Sequence, residues 1–142
     1  MPIEPTREQI EQLAVSPSEL PVVMLNLLRF KDRADGIDEG VSGLEAYQRY
    51  AEAVAPFLEG VGGHVLLAAQ TYETVIGPDA REWDMVLMVE YPSRRKFLEM
   101  SAHPEYLKVH EHRAAGLADS RLVACETLSP SLQAPAPGRG SA

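Results

Sequence analysis

The sequence has a single cysteine, Cys125, so an internal disulfide framework is excluded and a reducing compartment fits. Positive charge is scarce. Thirteen Lys and Arg stand against 21 Asp and Glu, a net charge of −8, and this argues against a nucleic-acid partner, which needs clustered basic side chains. The one basic cluster, Arg94, Arg95 and Lys96, reads as a solvated helix face. No apolar run approaches the ~20 residues of a membrane span, and the N-terminal MPIEPTREQIEQL lacks the apolar centre of a signal peptide. The default expectation is a cytoplasmic protein with neither membrane nor nucleic acid as partner.

What is present is one domain's worth of chain, 142 residues of which 45% are hydrophobic. Thr6 and Gln9 form a capping box for a short helix carrying Ile10 and Leu13. This predicts an N-terminal helical arm over residues 1–20, ahead of a core domain over 21–128. Val22–Phe30 is apolar almost throughout and reads as a strand covered on both faces. Residues 31–43 are polar and hold Asp32, Asp35, Asp38 and Glu39. They lack the spacing of a calcium loop, so a solvated loop or mobile lid is expected. Ser42 with Glu45 opens a helix whose Tyr47, Tyr50, Ala51, Val54 and Leu58 share a stripe, and Gly60, Gly62 and Gly63 stop it.

Residues 64–76 read as a second strand and Met85–Tyr91 as a third, closed by Pro92. Ser93 then stands as an N-cap, Phe97, Leu98 and Met100 form an apolar stripe, and Pro104 restarts the helix at a first-turn position. Gly116 is expected as its C-terminal cap, and residues 121–127 as the last strand. The tail SPSLQAPAPGRGSA, 129–142, is expected to be disordered. The order β-α-β-β-α-β defines an α+β, ferredoxin-like sandwich: a four-stranded antiparallel sheet with both helices on one face.

Strand alternation divides each strand into two sets of side chains. Assigning the purer apolar set to the helices puts Val23, Leu25, Leu27, Val65, Leu67, Ala69, Met85, Leu87, Val89, Val123 and Cys125 there. The other face then carries Met24, Asn26, Leu28, Phe30, His64, Leu66, Ala68, Gln70, Asp84, Val86, Met88, Glu90, Leu122, Ala124 and Glu126. One β-bulge would exchange the faces beyond it. A face this apolar implies cover by another chain, two sheets stacking as a barrel-like homodimer with a small-molecule cavity between them.

The segments LNLLRFKD from Leu25, AYQRYAEAVAPFLE followed by GGHVL, EWDMVLMVEYPSRRKF, HPEY and HRAAGLADSRL resemble an uncharacterised bacterial family, domain of unknown function thirteen-thirty. The resemblance covers roughly residues 20–128 and implies membership of the dimeric α/β-barrel superfamily, with ferredoxin-like protomers. That superfamily includes cofactor-free monooxygenases, lactone isomerases, polyketide cyclases and haem-dependent enzymes, so the resemblance implies a class of sites and not one chemistry.

The candidate catalytic residues are Glu90, as a general base, and His64, as acid, base or haem ligand. The bland alternatives are a strand end facing water and a solvated edge histidine. Asn26, Arg29, Met88 and Gln70 are candidate substrate-binding residues. Asn26 would orient an oxygen or make a structural bond across the dimer, and Arg29 would clamp a carboxylate, although its parity puts it on the helix side. No metal site is expected, because His110 and His112 point about 200° apart on a helix. Tyr106, His110 and Arg113 share a helical face and read as structural, with Arg113 pairing Asp119 or holding the turn before the last strand. Trp83 is expected under its turn, Asp84 capping a backbone group, and Cys125 inert in the core.

Two functional classes follow. One is a cofactor-independent acid/base enzyme acting on a small organic molecule held between the sheets. The other is a ligand-binding or purely structural homodimer. A haem protein using His64 is a third reading. No cofactor is otherwise implied.

Overall fold

A computed structural model describes residues 2–132. Its elements are α1 (Arg7–Val15), β1 (Val22–Phe30), α2 (Gly43–Gly60), β2 (His64–Gln70), β3 (Met85–Tyr91), α3 (Arg94–Ala102), α4 (Pro104–Gly116) and β4 (Leu117–Cys125), with a 3-10 turn at Gly36–Asp38. The strands form one antiparallel sheet in the order β2-β3-β1-β4, with the two central strands supplied by β1 and β3. This is the ferredoxin-like α+β arrangement. The expected tail lies, from residue 133 on, outside the described residues.

The helix starts follow from their caps. Thr6 and Gln9 make the reciprocal capping box of α1, Ser42 accepts from the Glu45 N–H, and Ser93 from the Lys96 N–H. His103 ends α3 and caps α4, its Nδ1 accepting from the Glu105 N–H at 3.1 Å, while Pro104 occupies the first turn.

Gly116 is not the left-handed cap expected of it. It sits against Gly43, and a Cβ on Gly116 would stand 2.5 Å from the Gly43 carbonyl oxygen. The start of α2 and the end of α4 therefore meet backbone to backbone, joined through Lys31, whose N–H donates to Gly116 O at 2.8 Å and whose carbonyl accepts from Gly43 N–H at 3.1 Å. With no turn needed after α4, β4 begins at Leu117, four residues before the expected start at 121.

The core lies between the sheet and the helices. Val22, Met24, Val89 and Tyr91 pack with Tyr50, Val54, Phe57, Leu58, Phe97, Met100 and Tyr106, and Leu28 packs with Tyr47 and Leu117. The helix side of β1 is thus the even-numbered set, opposite to the expected parity. Both sets of β1 are apolar, so hydropathy alone could not order them. In β4 the same inversion holds, because Cα partners across an antiparallel pair share a face: Cys125 faces with Val23, and Val123 with Leu25.

In β2 the register shifts between Val65 and Leu67. The bulge turns Leu67 and Ala69 to the face of Met88 and Val86, and Gln70 to the face of Met85. The assignments in β3, and at His64 and Val65 ahead of the bulge, stand as expected. β2 also ends at Gln70, and residues 71–84 form a long arm to β3 in place of the expected strand through 76.

The loop 31–43 is anchored, not free. Asp38 is 1% exposed and bonds Arg49 at 2.6 Å and His112 Nδ1 at 2.7 Å, tying the 3-10 turn to α2 and α4. Burial raises the Asp38 pKa, but hydrogen bonds and charge from His112 and Arg49 outweigh it and leave the carboxyl below its ordinary range.

Candidate functional site

The face away from the helices carries Val23, Leu25, Leu27 and Arg29 from β1. Register adds Val86, Met88 and Glu90 from β3, His64, Leu67 and Ala69 from β2, and Asp119, Arg121, Val123 and Cys125 from β4. None of these side chains belongs to either core cluster. Its middle is apolar and its two ends are polar.

At one end, His64 is the cross-strand partner of Glu90, and Val23 and Cys125 continue the row. His64 Nε2 lies 3.1 Å from Glu90 Oε1, close but without hydrogen-bond alignment. Glu90 is 7% exposed, whereas the His64 side chain keeps 42% of its surface. A buried carboxylate stands here at close range to a more accessible imidazole, and a rotation of the ring that aligned the two would let them exchange a proton. Met88 lies on the same face one step along β3, facing Leu25 and Leu67.

At the other end, Asp119 takes Arg121 at 2.9 Å and Arg29 at 3.4 Å. The Arg121 guanidinium lies 5.1 Å from the centre of the Trp83 ring. Burial raises the Asp119 pKa, but the Ser120 N–H and the two arginines together hold it below its ordinary range. Arg29 is therefore on the open face, contrary to the parity expectation. Val23 and Arg29 are six residues apart in β1, so the two polar ends are separated by roughly 20 Å at about 3.3 Å per residue. A small molecule held by His64 and Glu90 of one chain does not reach Arg29 of that chain.

Asn26 and Gln70 are not part of this face. Asn26, 7% exposed, points to the helix layer, where its amide donates to Met24 O at 3.2 Å and Leu87 O at 3.3 Å. It is a polar group satisfied by its own chain's backbone inside the core, not by the bond across a dimer weighed as its structural alternative. Gln70 is exposed opposite Met85 on the helix side because of the β2 bulge. Cys125 leaves the core for the open face, half-buried.

The helix layer also holds a tyrosine cluster. Tyr50 and Tyr106 hydroxyls meet at 3.1 Å. Burial pushes the Tyr47 hydroxyl up to about 12, against the opposing pull of Arg113, and raises Tyr50 and Tyr91 as well. The Tyr47, Tyr50 and Tyr91 hydroxyls therefore stay protonated at neutral pH and are not bases. Arg113 donates to Ile3 O at 2.7 Å, pinning the N-terminal segment instead of pairing Asp119. Asp84 caps as expected, its carboxylate accepting from the Phe30 N–H at 2.9 Å.

The histidines are scattered. His103 is a cap, His110 faces Glu4 at 3.2 Å and His112 serves Asp38. Among the described residues no group of three or more His, Cys, Asp or Glu could hold a metal ion. No described helix is long and apolar enough to cross a membrane. The Arg121, Asp119 and Trp83 grouping is hidden by an expected strand start at 121, four residues after the observed one. The alternation Asp119, Arg121, Val123, Cys125 was the available signal.

A four-stranded antiparallel sheet covered by helices on one face, with an uncovered apolar face bearing polar ends, places this chain among the ferredoxin-like α+β proteins. Within that class it belongs to the family described as a domain of unknown function (DUF1330), which it matches over residues 39–128. The chain is similar to RPA0582, a protein of unknown function from Rhodopseudomonas palustris, at 40% identity and a TM-score of 0.85, over 90% of this chain and 98% of that one. Two more distant structures share the fold alone. A dimeric protein of unknown function from Bacteroides fragilis has 14% identity and a TM-score of 0.50, over 75% of this chain and 96% of that one. A dabb family protein from Mesorhizobium loti has 10% identity and a TM-score of 0.51, over 77% and 98%. None of the curated proteins matches the chain.

Proposed function

We propose that this chain works as a homodimer whose open sheet faces stack, and that a small organic molecule binds between them against the His64–Glu90 end. The observation that carries the reading is an ionisable pair at 3.1 Å set at the end of an uncovered field of Leu25, Leu27, Leu67, Val86 and Met88. Leaving such a field in water is costly at about 25 cal/mol per Å², and stacking a second copy removes that cost. The apolar residues then select a partly apolar ligand. Glu90 acts as proton acceptor, His64 as the group that exchanges protons with the ligand, and no cofactor is required for that step.

Native mass spectrometry of the purified protein, followed by the same sample denatured, tests this. A dimer with extra mass that is released on denaturation, and that is lost in Glu90→Gln or His64→Ala, supports the reading. A monomer at micromolar concentration removes it. A ligand retained by both variants moves the site elsewhere on the face. If a double substitution of His64 and Glu90 to leucine raises stability and leaves ligand and turnover unchanged, the pair is packing and the structural reading wins. A haem role for His64 predicts a Soret band on haem addition that disappears in His64→Ala.

A further inference from the structure

The arm between β2 and β3, residues 71–84, far exceeds the ~2–5 residues of an ordinary hairpin turn. Its base is firmly built. Thr71 N–H donates to Asp84 O at 3.1 Å, Asp84 N–H to Leu28 O at 2.7 Å, and Arg81 pairs with Asp84 at 3.2 Å. Trp83 under Arg121 ties that base to the open sheet face. The tip is the opposite: Val75 is 91% exposed, Ile76 95% and Tyr72 70%. A fixed base that presents two adjacent β-branched aliphatic residues almost wholly to water is a contact surface awaiting a partner.

We infer that the partner is a second copy of this chain, the arm of each subunit reaching past the stacked sheets to seat Val75 and Ile76 on the other. The inference rests on the homodimer reading above and adds a second, separate contact to it. Area supports this choice of partner. A stable pair buries about 800 Å² of accessible surface per partner, and the exposed Tyr72, Val75 and Ile76 add apolar surface to what the sheet face offers. The arm leaves the sheet at the Arg29–Asp119–Arg121 end, so it extends the same contact without a break and supplies apolar surface where the sheet ends. The side chains at the tip, Thr74, Val75 and Ile76, are uncharged. They add no charge of their own to a contact between two copies of a chain of net charge −8, although Glu73 and Asp79 flank them.

Sedimentation measurements of the dimer dissociation constant, on the full chain, test the inference with two variants. The first is Val75→Ser with Ile76→Ser, at positions so exposed that the subunit fold is untouched. The second is Leu27→Glu in the middle of the open face. The expected result is an association weakened at least tenfold by the arm variant and abolished by Leu27→Glu, with unchanged circular dichroism in the first. An arm variant that associates like the parent while Leu27→Glu dissociates overturns the clasp and leaves the stacked dimer standing. A parent chain that is monomeric throughout overturns both. Photoreactive benzoylphenylalanine at position 76 gives an independent readout: crosslinks between isotopically distinct copies support the clasp, and crosslinks only within one chain refute it.

Discussion

The two faces of the sheet are made by alternate residues of the same strands, yet they are finished to different standards. On the helix side, Leu28 is wholly buried, and Asn26, set in the same row of β1, has its amide satisfied by two carbonyls. On the other side, Leu25 and Leu27 are equally apolar and remain partly open, and the charged groups gather at the ends of the strands. Closure, not hydrophobicity, separates them. Along β1 the even-numbered face is completed by its own chain, and the odd-numbered one, Val23 apart, has the composition of a core without the full cover.

The sharpest way to break this contrast is to truncate one leucine on each face. Leu28→Ala should lower the unfolding free energy by about 2–5 kcal/mol. Leu27→Ala, in protein dilute enough to be a single subunit, should cost well under half as much and act on association instead. Equal losses in urea melts would mean that the open face is already closed within one subunit.

Next in size is the buried carboxylate behind the helix layer. Asp38→Ala removes two charge-assisted hydrogen bonds, to Arg49 and His112, and should cost about 2 kcal/mol, since both partners keep access to water. Because hydrogen bonds and charge hold the Asp38 pKa below its unfolded value of 3.8, its contribution is complete above that pH and is lost as pH falls through the folded value. Acid unfolding should therefore begin at higher pH in a chain lacking this anchor.

A smaller pH effect belongs to His110, whose pKa is lowered first by burial and then by Arg113. The folded state prefers its neutral form, so its contribution is present above the ordinary value of 6.5 and declines as pH drops below it. His110→Gln should flatten the slope of stability between pH 7 and 5, and an unchanged slope would assign it to another group.

The smallest effect is at Cys125. On the open face its thiol should react with a disulfide reagent when subunits are apart and be shielded when they are stacked. A core position would be unreactive in both states.

Most of the architecture was legible in the sequence, and the reason is local chemistry. Thr6, Ser42, Ser93 and Pro104 mark helix starts by backbone hydrogen bonding that depends little on tertiary context. The strands declare themselves by composition. The face of each strand was less legible, because β1 is apolar at both parities and one bulge at Val65–Leu67 rephases β2. Those two causes sent Asn26 and Gln70 to the wrong side and hid Arg29 on the right one. His64, Glu90 and Met88 were placed on their observed face because β3 keeps strict alternation and His64 precedes the bulge. Asp38 looked like one acid among several in a polar loop. Only the fold brings Arg49 and His112 to it, from 11 and 74 residues away in sequence.

The seam where Gly43 meets Gly116 has a consequence for how such a chain can drift. Its bonds run between backbone atoms of Lys31, Gly43 and Gly116, so they ask nothing of side-chain identity beyond the absence of a Cβ at the two glycines. Ala46, wholly buried against Gly116, must stay small, but Lys31 could be exchanged, and the two crossovers of the fold would still register against each other like a notch cut in the chain itself.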